Sequence, residues 1–230
     1  MTTVVVGGTG TLGLAVARSR AKAGSRVVIT GRDLAATSKV AEEIGEGVGG
    51  GVEALALDLA APHGIADQLA TVGPVDALVI TAIEQGTMSL DNFDIDKASR
   101  VVAMKLVGYT EVIRVLRDRF TPTASVVLFG GLAKDRPYPG STIVTAFNGG
   151  IATLVTTLAL ELAPHRVNVI HPGVVGDTPR WRDAGHPHES RTPIGRLVTS
   201  DEIADAVEFL LRNTGINAQN LHVDGGITAT

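Results

Sequence analysis

A glycine-rich segment near the start of the chain has the residue types and spacing needed to hold a diphosphate. Residues 7–13 are Gly7-Gly8-Thr9-Gly10-Thr11-Leu12-Gly13, between an apolar β-branched run at 3–6 and a helical pattern at about 12–23. Glycines let the backbone turn sharply and approach a ligand, and a helix N-terminus offers unpaired N–H groups. Strand, glycines and helix in this order predict a dinucleotide-binding loop.

The end of the second predicted strand bears on which dinucleotide is bound. Sites for NAD commonly carry an acidic residue there, which bonds the ribose 2′-hydroxyl. Here Gly31 occupies that place and Arg32 follows. A guanidinium can pair with a 2′-phosphate and stack on adenine. The alternative is a solvated arginine partly neutralised by Asp33. We expect NADP(H) rather than NAD(H).

Strands alternating with helices must position these residues. Short apolar strands are predicted near 3–6, 26–30, 52–57, 76–80, 125–129, 167–170 and 220–223. Helices of crossover length between them predict an α/β fold: a doubly wound parallel sheet of the Rossmann type, three layers deep. The 230 residues fit one domain, 1–230. Ligands of such sheets bind beyond the carboxyl ends of the strands.

Three further segments are assigned from their patterns. Long helices are predicted at about 95–120 and 142–162, and the glycines of 45–51 predict a turn. The segment at about 173–199 has several prolines and little periodicity. We expect it to form a substrate-facing loop or lid.

Composition argues against several functional classes. The formal net charge is −4 with scattered basic residues, so no nucleic-acid partner is expected. There are no cysteines, and the six histidines lack metal-ligand spacing. His186 and His188 are expected to be solvent-exposed. No leader is predicted and the apolar runs look shorter than a membrane span. We expect a cytoplasmic protein that does not bind membranes.

Motifs spread along the chain resemble those of the short-chain dehydrogenase/reductase family. They cover essentially the whole length: Ala56-Leu57-Asp58-Leu59, Leu78-Val79-Ile80-Thr81-Ala82-Ile83, Leu158 to Asn168, Pro172-Gly173-Val174-Val175, Ile194-Gly195-Arg196 and Val223-Asp224-Gly225-Gly226. The resemblance implies a nicotinamide cofactor, with Asp58 on the adenine amino group, and a homodimer or homotetramer formed through the long helices. The cofactor-binding residues implied together by loop and resemblance are Gly7, Thr9, Gly10, Thr11, Leu12, Gly13, Arg32, Asp58, Leu59, Thr81, Ala82, Ile83, Lys105, Pro172, Gly173, Val174 and Val175.

The chain departs from the family pattern where the family has its catalytic residues. Gly131 stands at the usual Ser position, Val144 at the Tyr position and Asn148 at the Lys position of Tyr-x-x-x-Lys. Lys105 stands at the position of the family's helical Asn, an exchange that resembles the ketoreductase domains of modular polyketide synthases. We hypothesise that Lys105 contacts the nicotinamide ribose or a relay water. The alternative is a lysine on the helix surface.

The loop also departs from the family pattern. Val6 replaces its Thr, Thr11 replaces its middle Gly, and Ile83 narrows the space beside the nicotinamide ribose. The loop can still turn, but its local hydrogen bonds must differ.

The proton donor is left open by the sequence. Tyr138, Thr142 and Thr145 are possible substitutes near the site, although Tyr138 can equally be a packing residue of its proline-rich loop. Tyr109 is as suited to the core as to the site. The catalytic candidates are Lys105, Asn148 and Tyr138; residues expected to line the substrate site are Gly131, Val144 and Trp181.

Two functional hypotheses follow. The first is an NADP-dependent oxidoreductase with a non-standard proton donor, acting on a small carbonyl, imine or activated alkene. Losing a general acid removes about 10²- to 10⁴-fold in rate, so substrates needing little acid help fit best. The second is a non-redox or inactive protein that binds NADP(H) as a sensor, or a site that performs isomerisation, elimination or cyclisation.

Overall fold

The fold is built around one parallel sheet. We describe the protein from a computed structural model, which covers residues 1–48, 51–84, 86–182 and 188–230. The sheet has seven strands in the order β3-β2-β1-β4-β5-β6-β7, all paired in parallel. The strands are β1 Thr2–Val6, β2 Arg26–Gly31, β3 Val52–Ala56, β4 Val75–Ile80, β5 Phe120–Phe129, β6 Arg166–Pro172 and β7 Asn220–Val223. The Rossmann prediction is confirmed, and the strand order reverses between β1 and β4.

Helices cover both faces of the sheet because strand residues alternate between two apolar clusters. The helices are α1 Thr11–Lys22, α2 Leu34–Val48, α3 Ile65–Gln68, α4 Ile95–Val102, α5 Tyr109–Leu116, α6 Thr142–Glu161, α7 Pro179–Arg182 and α8 Ser200–Arg212. Val4 and Val6 face the cluster that contains α3, α5 and α6, whereas Val5 faces the one that contains α1, α2 and α8. This arrangement is the predicted three-layer α/β fold.

The predicted long helix at about 95–120 is wrong in its interior and at its end. A π-helical turn, Ala103–Gly108, separates α4 from α5, and α5 ends at Leu116. The widened turn carries the buried side chain of Lys105. Hydrophobic periodicity cannot reveal one extra residue in a turn, and such turns are frequent at functional sites.

Two other boundaries differ from the prediction. The glycines at 45 and 47 lie within α2, which continues to Val48 because Ile44 and Val48 pack on the sheet. Strand β5 begins at Phe120 rather than near Ser125, since its first residues pair with Val75 at the start of β4. In both places tertiary packing overrides local preference.

Helix α6 is more apolar than expected. The helix has 20 residues, and its mean hydropathy reaches 1.7 over an 18-residue window, which gives it the length and composition of a membrane span, contrary to the expectation that apolar runs are too short. Glycines and threonines interrupt its apolar runs without making it hydrophilic. One third of the span is buried, where Ile151, Val155 and Leu158 pack on the sheet.

Candidate cofactor and substrate site

The glycine loop is held against the ends of β2 and β4. The Gly7 and Gly8 N–H groups both donate to the Thr30 carbonyl, at 3.2 and 3.1 Å. Helix α1 begins at Thr11 on the far side of the loop, so the N–H groups of its first turn lie at the carboxyl edge of the sheet.

A threonine after β4 supplies hydrogen bonds that fix the loop. The Thr81 hydroxyl lies 3.1 Å from the Val6 carbonyl and 3.2 Å from the Gly7 carbonyl. At Gly13 a Cβ would lie 2.2 Å from the Gly7 oxygen, so the helix approaches the loop as closely as only glycine allows. The altered loop therefore keeps a tight turn, with Thr81 providing local bonds.

A cleft of about 430 Å³ opens above this loop at the switch point of the sheet. Twelve of the predicted cofactor-binding residues line it: Gly7, Thr9, Gly10, Thr11, Leu12, Gly13, Arg32, Asp58, Leu59, Thr81, Ala82 and Ile83. The structure thus brings together residues that are scattered over four strand ends.

The end of β2 has no room for a side chain at residue 31. A Cβ on Gly31 would lie 2.4 Å from the Thr37 hydroxyl and 3.1 Å from a Thr9 methyl. Arg32 is exposed and lines the cleft. Asp33 accepts from the Ala36 N–H at 2.8 Å and so caps α2, which commits its carboxylate to the helix N-terminus.

Further polar and charged residues line this cleft, of which Arg100, Glu84 and Thr178 were missed from the sequence. Arg100 Nε donates to Glu84 at 3.0 Å, and its Nη2 lies 3.8 Å from the Asp58 carboxylate. Arg180 and Thr178 reach the cleft from the segment after β6. Periodicity gave no signal for these residues, because they come from the surface of α4 and from an irregular segment.

A second cavity, of about 310 Å³, adjoins the cleft and shares Leu12, Thr81 and Ile83 with it. The remaining candidates line this cavity: Lys105, Gly131, Tyr138, Val144, Asn148, Pro172, Gly173, Val174, Val175 and Trp181. Apart from Tyr109, Thr142 and Thr145, the residues nominated from the sequence therefore border one of two joined spaces.

Lys105 lies at the base of the second cavity and is 1% exposed. Its ammonium donates to the Tyr109 hydroxyl at 2.7 Å, the Phe129 carbonyl at 2.9 Å and the Ala82 carbonyl at 3.3 Å. Burial lowers the pKa of Lys105 to about 7. The alternative of a surface lysine is wrong, because the π-helical turn directs this side chain into the protein.

Tyr109 belongs to both the core and the site. It is fully buried among the apolar residues of α5 and β4, and its hydroxyl donates to the Ala82 carbonyl at 2.7 Å. Burial raises the pKa of Tyr109, so the phenol stays neutral. Lys105, Tyr109 and the Ala82 carbonyl form a closed triangle of hydrogen bonds.

Asn148 faces Gly131 across the cavity. A Cβ on Gly131 would lie 3.0 Å from Asn148 Nδ2, so the missing side chain at 131 leaves room for this amide. Asn148 is 3% exposed, and its Oδ1 has no hydrogen-bond partner within the described residues. An amide with unused bonding capacity beside a cavity can bind a polar ligand group.

A buried histidine supports the loop after β5. His171 Nδ1 accepts from the Gly131 N–H at 3.1 Å, so Nε2 carries the proton and donates to Asn220 Oδ1 at 2.7 Å. A Cβ on Gly130 would lie 2.4 Å from the imidazole ring. Burial lowers the pKa of His171 to about 4, although the bond with Asn220 opposes this shift.

The possible substitute donors differ in their availability. Tyr138 is 47% exposed and lines the cavity; its backbone N–H donates to Ser141 Oγ at 3.0 Å and its carbonyl accepts from the Ser141 N–H at 2.9 Å. The Thr145 hydroxyl donates to the Ala133 carbonyl at 3.1 Å, and the exposed Thr142 begins α6. Of the three, Tyr138 alone borders the cavity.

The predicted loop or lid at about 173–199 is fixed near its two ends by a β-bridge and contributes an aromatic side chain to the cavity. A β-bridge joins Val175 to Val198. Trp181 lines the cavity and packs edge-on against His188 with ring centroids 4.9 Å apart. His188 is half-buried, so the expectation of a solvent-exposed ring is wrong there; His186 lies outside the described residues. No metal-binding cluster occurs in the part of the chain that the structure describes.

Known proteins resemble this chain over nearly its full length. A family model described as "Enoyl-(Acyl carrier protein) reductase" matches residues 8–228. The "Inactive 2-(S)-hydroxypropyl-CoM dehydrogenase 2" of Xanthobacter autotrophicus is 31% identical over 93% of this chain and 100% of its own length. The L-xylulose reductase of Bos taurus is 29% identical, covering 95% of this chain and 93% of its own.

A solved structure described as a "short chain dehydrogenase/reductase family protein" superimposes with a TM-score of 0.89 at 29% identity, over 100% of this chain and 98% of that one. Fold, site and relatives agree: this chain belongs to the short-chain dehydrogenase/reductase family.

Proposed function

We propose that the protein is an NADP(H)-dependent oxidoreductase that transfers a hydride to or from a small carbonyl, imine or activated alkene. The observation that carries the proposal is the junction of two spaces, a glycine-lined cleft and a smaller cavity that share Leu12, Thr81 and Ile83. A dinucleotide in the cleft would direct its reactive end toward Lys105 and Asn148. Hydride transfer requires the donor and the acceptor to be held next to each other, which two adjoining sites allow.

The residues of the cleft fit a phosphorylated dinucleotide. The close approach of Gly13 to Gly7 leaves a cradle that any larger side chain would fill, and the first turn of α1 offers N–H donors to a diphosphate. Arg32 would pair with a 2′-phosphate, which the steric limit at Gly31 and the capping role of Asp33 both favour. The bound cofactor would supply the hydride chemistry, and the protein would supply orientation.

The side chains of the cavity suit a substrate that needs little help from an acid. Gly131 and Val144, at the positions of the family's Ser and Tyr, carry no hydroxyl. Lys105 would hold the ribose side of the cofactor, and the Tyr138 hydroxyl, which borders the substrate cavity, would serve as a proton source. Imines that are already protonated, and alkenes activated by their own substituents, need less proton donation than a ketone.

A second candidate is a non-redox role, in which the same pocket binds NADP(H) as a sensor or serves isomerisation, elimination or cyclisation. It is favoured by Gly131 and Val144 and by the name of the relative from Xanthobacter autotrophicus, which is called inactive.

Anaerobic turnover separates the two candidates. The purified chain is mixed with NADPH and a panel of ketones, cyclic imines and enones, and absorbance at 340 nm is followed, with Lys105→Met as the control. The proposal predicts substrate-dependent loss of absorbance with an imine or enone and at least tenfold less with the control. Tight NADPH binding without any loss would favour the non-redox candidate.

We also propose that the chain forms a homodimer or homotetramer through the outward face of α6. The exposed residues of this face are small or apolar: Thr142, Ala146, Thr153, Thr156, Thr157 and Leu160. Small side chains let a second helix approach closely, and the exposed Leu160 would be buried by such a contact. Family members commonly oligomerise.

A further inference from the structure

Lys105 and Tyr109 present the same two functional groups as the family's Tyr-x-x-x-Lys pair, in reverse order and on a different helix. The Lys105 ammonium has three protons and three acceptors, namely the Tyr109 hydroxyl, the Phe129 carbonyl and the Ala82 carbonyl. In this arrangement no N–H is left for a ligand. Any contact between Lys105 and a bound cofactor therefore requires one of the three bonds to be released.

The bond to the Ala82 carbonyl is the one that can be released at least cost. It is the longest of the three, 3.3 Å against 2.7 and 2.9 Å. The Ala82 oxygen also accepts from the Tyr109 hydroxyl at 2.7 Å. If Lys105 turns away, this carbonyl keeps a partner and the penalty for an unpaired oxygen does not arise.

The released N–H would face the cavity. Lys105 lines it beside Asn148, whose Oδ1 has no partner within the described residues. A hydroxyl bound there could accept from Lys105 and bond to the Asn148 amide at the same time. Ribose hydroxyls of a dinucleotide have this dual capacity.

We propose that Tyr109 is a positioning residue: it accepts from Lys105 and caps the Ala82 carbonyl, so that Lys105 can give one N–H to a ribose hydroxyl of the bound cofactor. This inference rests on the proposed function for its ligand. The coupling of Tyr109 to Lys105 can be measured without any ligand.

The test compares Tyr109→Phe with Thr110→Val in calorimetric titrations with NADPH. Thr110 is the neighbouring residue, and its hydroxyl donates to the Leu106 carbonyl at 2.8 Å, so its loss removes a comparable bond away from Lys105. In Tyr109→Phe the Ala82 carbonyl depends on Lys105 alone. We expect the dissociation constant of the Tyr109→Phe variant for NADPH to be roughly 5- to 10-fold higher than that of the parent. The Thr110→Val variant should stay within about 2-fold of the parent.

A double-variant cycle separates positioning from a general structural effect. In a Lys105→Met background, Tyr109→Phe should not weaken NADPH binding further, because the group it positions is gone. An equal loss in both backgrounds, or a Tyr109→Phe variant indistinguishable from Thr110→Val, would overturn the inference and leave the proposed function standing. If the unaltered protein binds no NADPH, the proposed function fails instead.

A measurement on the unaltered protein does not depend on a variant folding. Nitrogen NMR of labelled lysine follows the Lys105 ammonium through its titration near pH 7. The other titratable groups to consider are Tyr109 in direct contact, Glu84, Tyr138 and Arg180 around the cavity, and His171 behind Gly131. We expect the pKa of Lys105 to rise on saturation with NADPH and to fall in Tyr109→Phe, which loses an acceptor; no change in either would contradict the inference.

Discussion

The ammonium of Lys105 is an unusual buried charge because none of its three hydrogen-bond partners is a carboxylate. Burying a cation with only neutral partners opposes folding, and a methionine of similar length would avoid the cost. Strongly perturbed groups beside clefts are frequent at functional sites. The position of Lys105 between the ends of β4 and β5 is therefore best explained by a task at the cavity.

At the same scale, Arg32 tests the choice of cofactor. In Arg32→Gln we expect the dissociation constant for NADPH to rise about 10- to 100-fold, because charge-assisted bonds to the 2′-phosphate are lost. Affinity for NADH should change little. Arg26→Gln is the matched control, since Arg26 is an exposed arginine at the opposite end of β2, paired with Glu53 at 2.7 Å. Equal losses for both dinucleotides would contradict the role of Arg32.

Much of the site could be predicted from residues that follow strands. The glycine loop and Gly31-Arg32 could be identified because they follow strands, and parallel strands end at one edge of the sheet; Thr81 to Ile83 were identified from the family resemblance. The partners of Lys105 could not be found this way. They include two backbone carbonyls, Ala82 and Phe129, and backbone groups carry no signal in the amino-acid sequence.

At the scale of elements, His171 connects three parts of the fold. It accepts from the Gly131 N–H after β5 and donates to Asn220 on β7, whose amide donates to the Ala152 carbonyl of α6 at 3.0 Å. Gly130 has no side chain where the imidazole lies. The loop that borders the substrate cavity is thus fixed from behind by a neutral ring.

Because of this connection, we predict that the titration of His171 makes the free energy of unfolding fall at acid pH. The pKa of His171 is lowered to about 4 from 6.5, so between these values the folded state binds fewer protons than the unfolded state. The contribution of His171 is complete above about pH 6.5 and is lost as pH falls toward 4, by up to about 1.4 kcal/mol per pH unit. In His171→Asn, the free energy of unfolding measured with urea from pH 4 to 8 should lack the decrease at acid pH that His171 causes in the parent.

The exposed His63, changed to Asn, provides the control. If His171→Asn and His63→Asn show the same dependence of unfolding free energy on pH, the imidazole of His171 does not titrate as its burial requires.

The sequence predicts which helices and strands exist more accurately than it predicts the residues at which they end. Met104 and Leu106 of the π-helical turn pack in one apolar cluster, and Val48 at the end of α2 packs in the other. Local propensity contains no information about those partners, which come from distant parts of the chain.

At the scale of the whole molecule, the outer face of α6, with its small residues and exposed Leu160, is the feature that bears on assembly. Leu160 is 81% exposed near the end of this helix. We expect Leu160→Arg to shift the protein to a smaller assembly in light scattering, because a charge would be placed in the interface, without lowering thermal stability of the fold. Leu90→Arg, at a residue 82% exposed outside α6, should leave the assembly unchanged.

A parent protein that is monomeric at micromolar concentration would contradict an interface on α6. So would an unchanged assembly in Leu160→Arg.

The central claim is that the cleft above the glycine loop holds a nicotinamide dinucleotide with its extra phosphate against Arg32. Calorimetric titration of the unaltered chain with NADPH and with NADH tests it most directly. The account predicts one site per chain for NADPH, with at least tenfold weaker binding of NADH. Absence of binding heat with either dinucleotide, confirmed by unchanged nicotinamide fluorescence, would contradict it.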